Sequence, residues 1–296
     1  NGLSDGKHHE DALSVREAHL SMHRRLGERV VGENVHGSRV VFKKEGSSED
    51  IIIAQGNLAN TYSVLGRCEE ALRMRRDVYL GCLKLFGAED ENALHAAKIY
   101  AASLLDLQHF RQARTFLRKM VPVARRVLGE NHDITLKMRL NYAEVLYRND
   151  GATLDHLHKA VNTLEEIEPI ARRVYGSAHP ATKIFEGDYQ CARQRLVYSG
   201  TLKDFGEEHA DTLVAAHNYA SSLLDLRCFK DARSLLRKTV PIARRVLGEN
   251  EYLTFRLRFY YAKALCNDPS ATLDDLREAV ATLEDTERIA RRVLGG

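Results

Sequence analysis

The sequence has 296 residues, of which 44% are hydrophobic and 29% charged, and its formal net charge is +3. So small a charge argues against a DNA-binding surface, because nucleic-acid binders usually gather a large basic excess on one face. No run is long and apolar enough for a membrane span, so we expect no membrane insertion. Tryptophan is absent and proline is scarce, which is typical of a soluble helical protein.

The spacing of the cysteines and the absence of known catalytic motifs exclude several classes of function. The five cysteines are odd in number, widely spaced and free of C-x-x-C pairs, which argues against a disulfide framework or a zinc site. We therefore expect a reducing compartment and a cytoplasmic location, while the opening Asn1 is compatible with a trimmed N-terminus. No His-Glu-x-x-His, Gly-x-Ser-x-Gly or phosphate-binding glycine loop occurs. The sequence therefore predicts no enzyme, no catalytic residue, no metal site and no cofactor.

The first segment, residues 1–48, is predicted to contain one helix and an inserted loop. Residues 9–26 place apolar side chains near helical spacing, and Gly27 should end that helix. Residues 28–48 are rich in glycine and serine around a β-prone piece at 39–43. That composition indicates a loop with a strand-like segment.

From residue 49 onward a helix–turn–helix unit recurs. In its first copy two helices meet at Gly66–Arg67, and the second helix ends at Gly87. Glycines at 87 and 129, and again at 206 and 248, lie about 42 residues apart, and the steps to 176 and 295 are about 47. The extra residues fall in the turns 149–152 and 267–271, after which Thr272 and Asp275 have the spacing of a helix N-cap and its acidic N3 residue.

The units are themselves duplicated, because residues 86–176 align without a gap with residues 205–295. This predicts a first module at 49–176, an irregular joint at 177–204 and a second module at 205–296. Within the joint, a long helix at 179–198 should break at Ser199–Gly200, as a truncated repeat or a capping helix between the modules. The whole is predicted to be an all-α solenoid of about twelve helices.

Three prolines stand inside predicted second helices: Pro122, Pro169 and Pro241. Proline removes one backbone hydrogen bond and crowds the preceding turn, so each helix should bend. The alternative is that each helix begins later.

The helix pairs resemble tetratricopeptide repeats of the long kind found in kinesin light chains. The resemblance rests on Asn57-Leu-Ala-x-x-Tyr62 with Gly66-Arg-x-x-Glu-Ala71, on Tyr100-Ala101, Tyr142-Ala143 and Tyr219-Ala220, and on linkers such as Gly129-Glu-Asn-His-Asp-Ile-Thr-Leu136. It covers about residues 49–296 and the helix at 9–26. It implies a right-handed superhelix whose first helices line a concave groove, and a non-enzymatic scaffold that binds a peptide or helix of a partner protein.

The resemblance also implies where a peptide would bind. In the family, an asparagine before the Leu-Ala or Tyr-Ala pair often bonds the backbone of a bound peptide, and Asn57, Asn141 and Asn218 stand there. An amide both donates and accepts, so it can hold a peptide main chain. The alternative is that these asparagines cap helices or bond a neighbouring helix. The predicted groove also includes Asn60, Lys98, Lys137, His217, Arg256 and Lys263. Its positive charge suits an acidic peptide, unless these residues form an ordinary solvated face.

Two other functions remain open. The apolar face of the helix at 272–294 lacks the capping helix that follows the first module, so the chain could form an end-to-end homo-oligomer. RNA binding is the remote alternative. It would use the repeated Arg-Arg pairs, which otherwise suit the negative ends of second helices.

Overall fold

The computed structural model describes residues 2–28, 32–33, 39–40 and 48–294. Within these ranges it contains twelve α-helices and one two-stranded antiparallel sheet. The sheet pairs β1 (Gly32–Glu33) with β2 (Arg39–Val40) inside the predicted insert, and the rest of that insert lies outside the described residues. The helices are α1 (Gly2–Glu28), α2 (Ser48–Val64), α3 (Cys68–Phe86), α4 (Glu91–Asp106), α5 (Phe110–Leu128), α6 (Asp133–Arg148), α7 (Leu154–Tyr175), α8 (Pro180–Phe205), α9 (Ala210–Asp225), α10 (Phe229–Val246), α11 (Tyr252–Asn267) and α12 (Leu273–Leu294).

The helices pack in chain order, which confirms the all-α repeat architecture. The chain divides into two compact units, residues 1–142 and 143–296, with the division inside α6. In the first unit α1 packs on α2, α2 on α3, α3 on α4 and α4 on α5. In the second unit the same succession runs from α7 to α12. The module limits at 176 and 205 concern sequence duplication and stay a prediction. No helix in the described part of the chain has the length and apolarity needed to cross a bilayer.

Glycine ends the helices where the repeat spacing predicted it. Gly87, Gly129, Gly176 and Gly206 follow α3, α5, α7 and α8 with φ between 84° and 93°. Gly248, just after α10, has φ 94°. A side chain disfavours this conformation, so these positions require glycine. Helix α1 runs to Glu28, one residue past its predicted stop at Gly27.

Side-chain caps start α4, α8 and α9, the helices that follow Gly87, Gly176 and Gly206. Asp90 Oδ1 accepts from Asn92 N at 2.8 Å, and the Nδ1 atoms of His179 and His209 accept from the amides two residues on at 3.1 and 3.2 Å. Each cap satisfies an N–H group that the helix itself leaves unpaired. The predicted cap of α12 is confirmed, because Thr272 and Asp275 bond each other's backbone N–H at 2.9 and 3.2 Å.

The Arg-Arg pairs at the ends of α5 and α10 bond linker glutamates. In each of these two pairs, the first arginine bonds the glutamate of its own linker, and the second bonds the glutamate of the preceding linker. The pairs are Arg125–Glu130 and Arg126–Glu89 in the first unit, and Arg244–Glu249 and Arg245–Glu208 in the second. The pairs therefore tie consecutive linkers together, which supports a structural role over RNA binding.

The structure tests two predictions about helix continuity, one at the three prolines and one at Ser199–Gly200. Helices α5, α7 and α10 run through Pro122, Pro169 and Pro241, so the alternative of a later start is wrong. The predicted break at Ser199–Gly200 is also wrong, because α8 is continuous to Phe205. An interior glycine costs a helix only about 1 kcal/mol relative to alanine, and α8 is held along its length by α7 and α9.

A buried polar network fastens the middle of α8 in the second unit. The hydroxyl of Tyr147 donates to Asp188, and both residues are almost fully buried. Beside them Arg148 contacts Asp231 at 2.9 Å and Glu144 at 3.1 Å. Burial, together with the charge of Glu144, raises the pKa of Asp188 well above its ordinary value. Burial and the neighbouring charge therefore both favour the neutral form of the Asp188 carboxyl.

The turns within helix pairs share a left-handed residue, and this predicts a stabilising substitution. Gly66 has φ 72°, and Gln108 and Arg227 adopt φ 58° and 59° at the corresponding places. A non-glycine residue is strained there by about 1 kcal/mol. We expect Arg227→Gly, at an exposed position, to raise the free energy of unfolding by up to about 1 kcal/mol in urea titrations. The matched change Gly66→Ala should lower it, and a loss of stability in Arg227→Gly would contradict the assignment.

Candidate functional site

The residues predicted to bind a peptide all lie on first helices of pairs. They fall into two groups, one in each compact unit. The first unit holds Asn57 and Asn60 on α2, Lys98 on α4, and Lys137 and Asn141 on α6; the second holds His217 and Asn218 on α9, and Arg256 and Lys263 on α11. In the aligned duplicates, Lys98 corresponds to His217 and Lys137 to Arg256, so two equivalent places carry different chemistry.

In the first unit, the lysines gather around one carboxylate; we call Lys98, Asp133 and Lys137 the lysine cluster. Asp133 contacts Lys137 Nζ at 2.7 Å and Lys98 Nζ at 3.8 Å. Burial lowers the pKa of Lys98, and the charge of Lys137 lowers it further. Burial and the charge of Lys98 likewise lower the pKa of His95, one turn earlier on α4. The Asp133 carboxylate therefore contacts both lysines of the cluster.

In the second unit, the equivalent place holds an arginine among aromatic rings; we call His217, Tyr252, Arg256 and Tyr260 the aromatic cluster. The Arg256 guanidinium lies 5.0 Å from the Tyr260 ring centroid and 5.9 Å from that of Tyr252, and it donates to both hydroxyls. The His217 ring stacks on Tyr260 with centroids 5.0 Å apart. Cation–π and stacking contacts of this kind fix the side chains in place before any ligand binds.

Two nitrogens of the aromatic cluster are buried without a hydrogen-bond partner among the described residues. They are Nε of Arg256 and Nε2 of His217. The other ring nitrogen of His217, Nδ1, lies 3.1 Å from Asn218 Oδ1. With Nδ1 donating to that oxygen, Nε2 is an acceptor, whereas Arg256 Nε is a donor. Unpaired buried polar atoms are costly, and these two leave one donor and one acceptor of the cluster unused.

The predicted asparagines differ in accessibility. Asn57, Asn60 and Asn218 are exposed, but Asn141 keeps only 9% of its surface accessible. The backbone carbonyl of Asn57 also accepts from Arg16 of α1 at 3.0 Å. Three of the asparagines can therefore reach a ligand directly, and their role stays a prediction. Lys263 is half-buried on α11.

The sequence alone predicted no role for Tyr252 or Tyr260. The duplicate alignment carries a signal for both, because Tyr252 corresponds to Asp133 and Tyr260 to Asn141. Two polar residues of the first unit are thus replaced by aromatic ones in the second. Among the described residues, no group of three His, Cys, Asp or Glu side chains is placed to hold a metal ion.

Comparison with known proteins agrees with the repeat architecture. Residues 52–92, 101–133 and 212–250 match the family model for the tetratricopeptide repeat. Among solved structures, the chain is similar to a candidate kinesin light chain of Podosopora anserina with nearly identical TPR-like repeats, at 18% identity and a TM-score of 0.40, covering 84% of this chain and 98% of that one. It is also similar to BtubC (BKLC) from P. vanneervenii, at 12% identity and a TM-score of 0.41, covering 97% and 93%. No curated protein matches the chain.

The environment of His217 predicts a pH dependence. Burial lowers the pKa of this imidazole, and the charge of Arg256 lowers it further, although the Asn218 bond acts in the opposite direction. A histidine whose pKa is lower when folded stabilises the fold above its unfolded pKa of about 6.5, and that stability is lost as pH falls. We expect NMR titration to give His217 a pKa below 6.5, and Arg256→Gln to raise it. An unchanged pKa in that variant, with Arg277→Gln on α12 as control, would contradict the coupling.

Proposed function

Because this chain is a tetratricopeptide repeat protein, and such repeats generally serve as protein-interaction modules, we propose that it is a non-enzymatic scaffold whose first helices bind a peptide segment of a partner protein. In each unit the proposed surface is the first-helix face that carries the lysine cluster or the aromatic cluster. The two clusters sit at equivalent positions of the duplicated sequence. Each is treated as a binding surface in its own right.

The observation that carries this proposal is the unpaired donor and acceptor in the aromatic cluster. Arg256 Nε–H offers a donor and His217 Nε2 an acceptor, both buried. A peptide main chain carries the complementary carbonyl and N–H groups on every residue other than proline. The exposed ring of Tyr252, with 72% of its surface accessible, adds an apolar contact beside them. Main-chain recognition of this kind gives affinity without reading side chains.

The lysine cluster adds a preference for negative charge. Lys98 Nζ lies 3.8 Å from the carboxylate of Asp133, too far for a direct hydrogen bond. An acidic side chain or a C-terminal carboxylate of the partner can offer Lys98 a closer partner. Since the pKa of Lys98 is lowered by burial and by Lys137, an added negative charge would raise it again. The preferred ligand of this surface is therefore an acidic peptide.

A peptide-binding experiment tests the proposal directly. Fluorescence polarisation of the full chain against an array of acidic, neutral and basic peptides should select acidic ones, with affinity falling as salt rises. Lys98→Gln should weaken the selected acidic peptides about tenfold, the effect of losing one well-placed charged hydrogen bond. Arg256→Gln should weaken to the same extent the peptides that bind at the aromatic cluster. Arg277→Gln, an exposed arginine on α12, is the matched control. Equal binding of acidic and basic peptides, or unchanged binding of every peptide in both Lys98→Gln and Arg256→Gln, would refute the peptide model.

Self-assembly is a second candidate function, supported by the exposed apolar face of α12. Leu276 and Leu283 are 39% and 37% exposed, although their equivalents on α7, Leu157 and Leu164, are fully buried. Helix α8 packs against α7. Next to the exposed face, an apolar cleft of about 390 Å³ opens between α11 and α12, lined by residues that include Phe255 and Phe259. A face of this composition favours contact with another helix.

The oligomeric state tests this second function. If the α12 face joins two copies, light scattering should show a mass that rises with concentration. Leu276→Glu should hold the chain as a monomer, because a charge would be buried at the contact. Val214→Glu, at an exposed apolar position on α9, should leave assembly unchanged. A monomer at all concentrations in the unmodified chain would rule out self-assembly.

A further inference from the structure

The second unit contains a partly open cavity of about 260 Å³, lined mainly by α8, α9 and α10. Tyr198 of α8, Tyr219 of α9, and Leu235 and Thr239 of α10 form much of its wall. The two tyrosine rings stack with centroids 6.2 Å apart and 18° between their planes. The volume is somewhat smaller than that of sites for drug-sized ligands. The space therefore suits a small molecule.

The duplicated sequence shows how this cavity arises. At the equivalent place in the first unit, Tyr79 and Tyr100 also stack, with centroids 6.3 Å apart. There Phe116 meets both rings edge-on at 5.2 Å, and the Tyr79 hydroxyl lies 3.6 Å from the sulfur of Met120.

In the second unit, Leu235 replaces Phe116 and Thr239 replaces Met120. The tyrosine pair is kept, but the third ring and the thioether that pack against it are gone. Close packing is the rule in protein interiors, so opening this space in one copy is a specific change.

Two polar atoms at the cavity are buried without a partner among the described residues. They are Nε of Arg195 and Oγ1 of Thr212. The Arg195 guanidinium lies over Tyr198 and Tyr219, 5.7 and 5.3 Å from their ring centroids. Thr212 is 2% exposed and corresponds to Ala93, so its hydroxyl is an addition of the second unit. Both atoms can donate to an acceptor placed in the cavity.

The other charges at the cavity limit the ligand. Arg148 is already engaged with Asp231 at 2.9 Å. Lys238, Asp150 and Glu207 are exposed and contribute one positive and two negative charges. Those carboxylates disfavour a ligand that carries several negative charges. The inner donors of Arg195 and Thr212 can still bind a ligand with one negative charge.

We propose that this cavity binds a small monocarboxylate. Its carboxylate accepts hydrogen bonds from Arg195 Nε and Thr212 Oγ1, and its apolar body packs against the stacked rings of Tyr198 and Tyr219. Leu235 and Thr239 provide the space. The site lies between α8, α9 and α10, apart from the aromatic cluster on α9 and α11, so it is independent of the peptide-binding proposal.

Calorimetric titration of the full chain with acetate, butyrate and benzoate tests the site. We expect at least one of them to bind with a dissociation constant at or below about 10 mM. Benzyl alcohol, which has a similar body without the charge, should bind at least tenfold more weakly than benzoate. Thr239→Met, which restores the residue of the first unit, should weaken the best carboxylate at least tenfold. Thr212→Ala, which restores Ala93, should weaken it threefold or more.

Controls separate loss of the site from loss of the fold. Thr115→Met, at an exposed position on α5, should leave binding unchanged. Circular dichroism should show the same helix content in all variants, because both cavity substitutions introduce residues that the first unit already carries there. Failure of all three carboxylates to bind would overturn the proposal. Unchanged affinity for the best-binding carboxylate in Thr239→Met would overturn it as well.

Discussion

The arrangement of every repeat depends on how one helix ends and the next begins. A second helix stops at a glycine with φ near 90°, a conformation that excludes other residues. A side chain three residues on, such as Asp90 or His209, then caps the next helix. Arginines in the last turn bond the glutamates of two consecutive linkers. Because these joints fix the start of each first helix, they also fix which of its residues face outward and can bind.

The two duplicated copies share the same kind of helix end, but they carry side chains of different chemistry at equivalent positions. The lysine cluster of the first unit and the aromatic cluster of the second occupy equivalent helix positions. The tyrosine pairs behind them are also equivalent, yet only the second unit lacks the packing of Phe116 and Met120. The backbone geometry is therefore conserved between copies, whereas surface charge and side-chain volume vary.

The sequence was sufficient for features that depend on local backbone chemistry. The Thr272–Asp275 cap, the helix count and the helix ends at Gly87, Gly129, Gly176, Gly206 and Gly248 follow from residues within a few positions of each other, and these are observed. The continuous α8 was not predicted from the sequence. Its contacts with α7 and α9 outweigh the weak local preference of Ser199–Gly200 for ending a helix. The burial of Asn141 and the ring contacts of Tyr252 and Tyr260 likewise depend on neighbouring helices, which a motif cannot show.

The buried network around α8 explains why one long helix is stable where other repeats have a pair. Asp188 is buried against Tyr147, and the adjacent Arg148 joins Glu144 to Asp231. Burying these groups is tolerable only when all of them are paired, so the network specifies one position for α8. In the duplicated sequence, the positions of Tyr147 and Arg148 are taken by Cys266 and Asn267 at the end of α11, and both of these residues are exposed. A helix that covers α12 would therefore contact apolar side chains equivalent to those that α8 contacts on α7. It would not find equivalents of Tyr147 and Arg148. Such a contact would be held by shape and apolar area, without a buried hydrogen bond like the one between Tyr147 and Asp188.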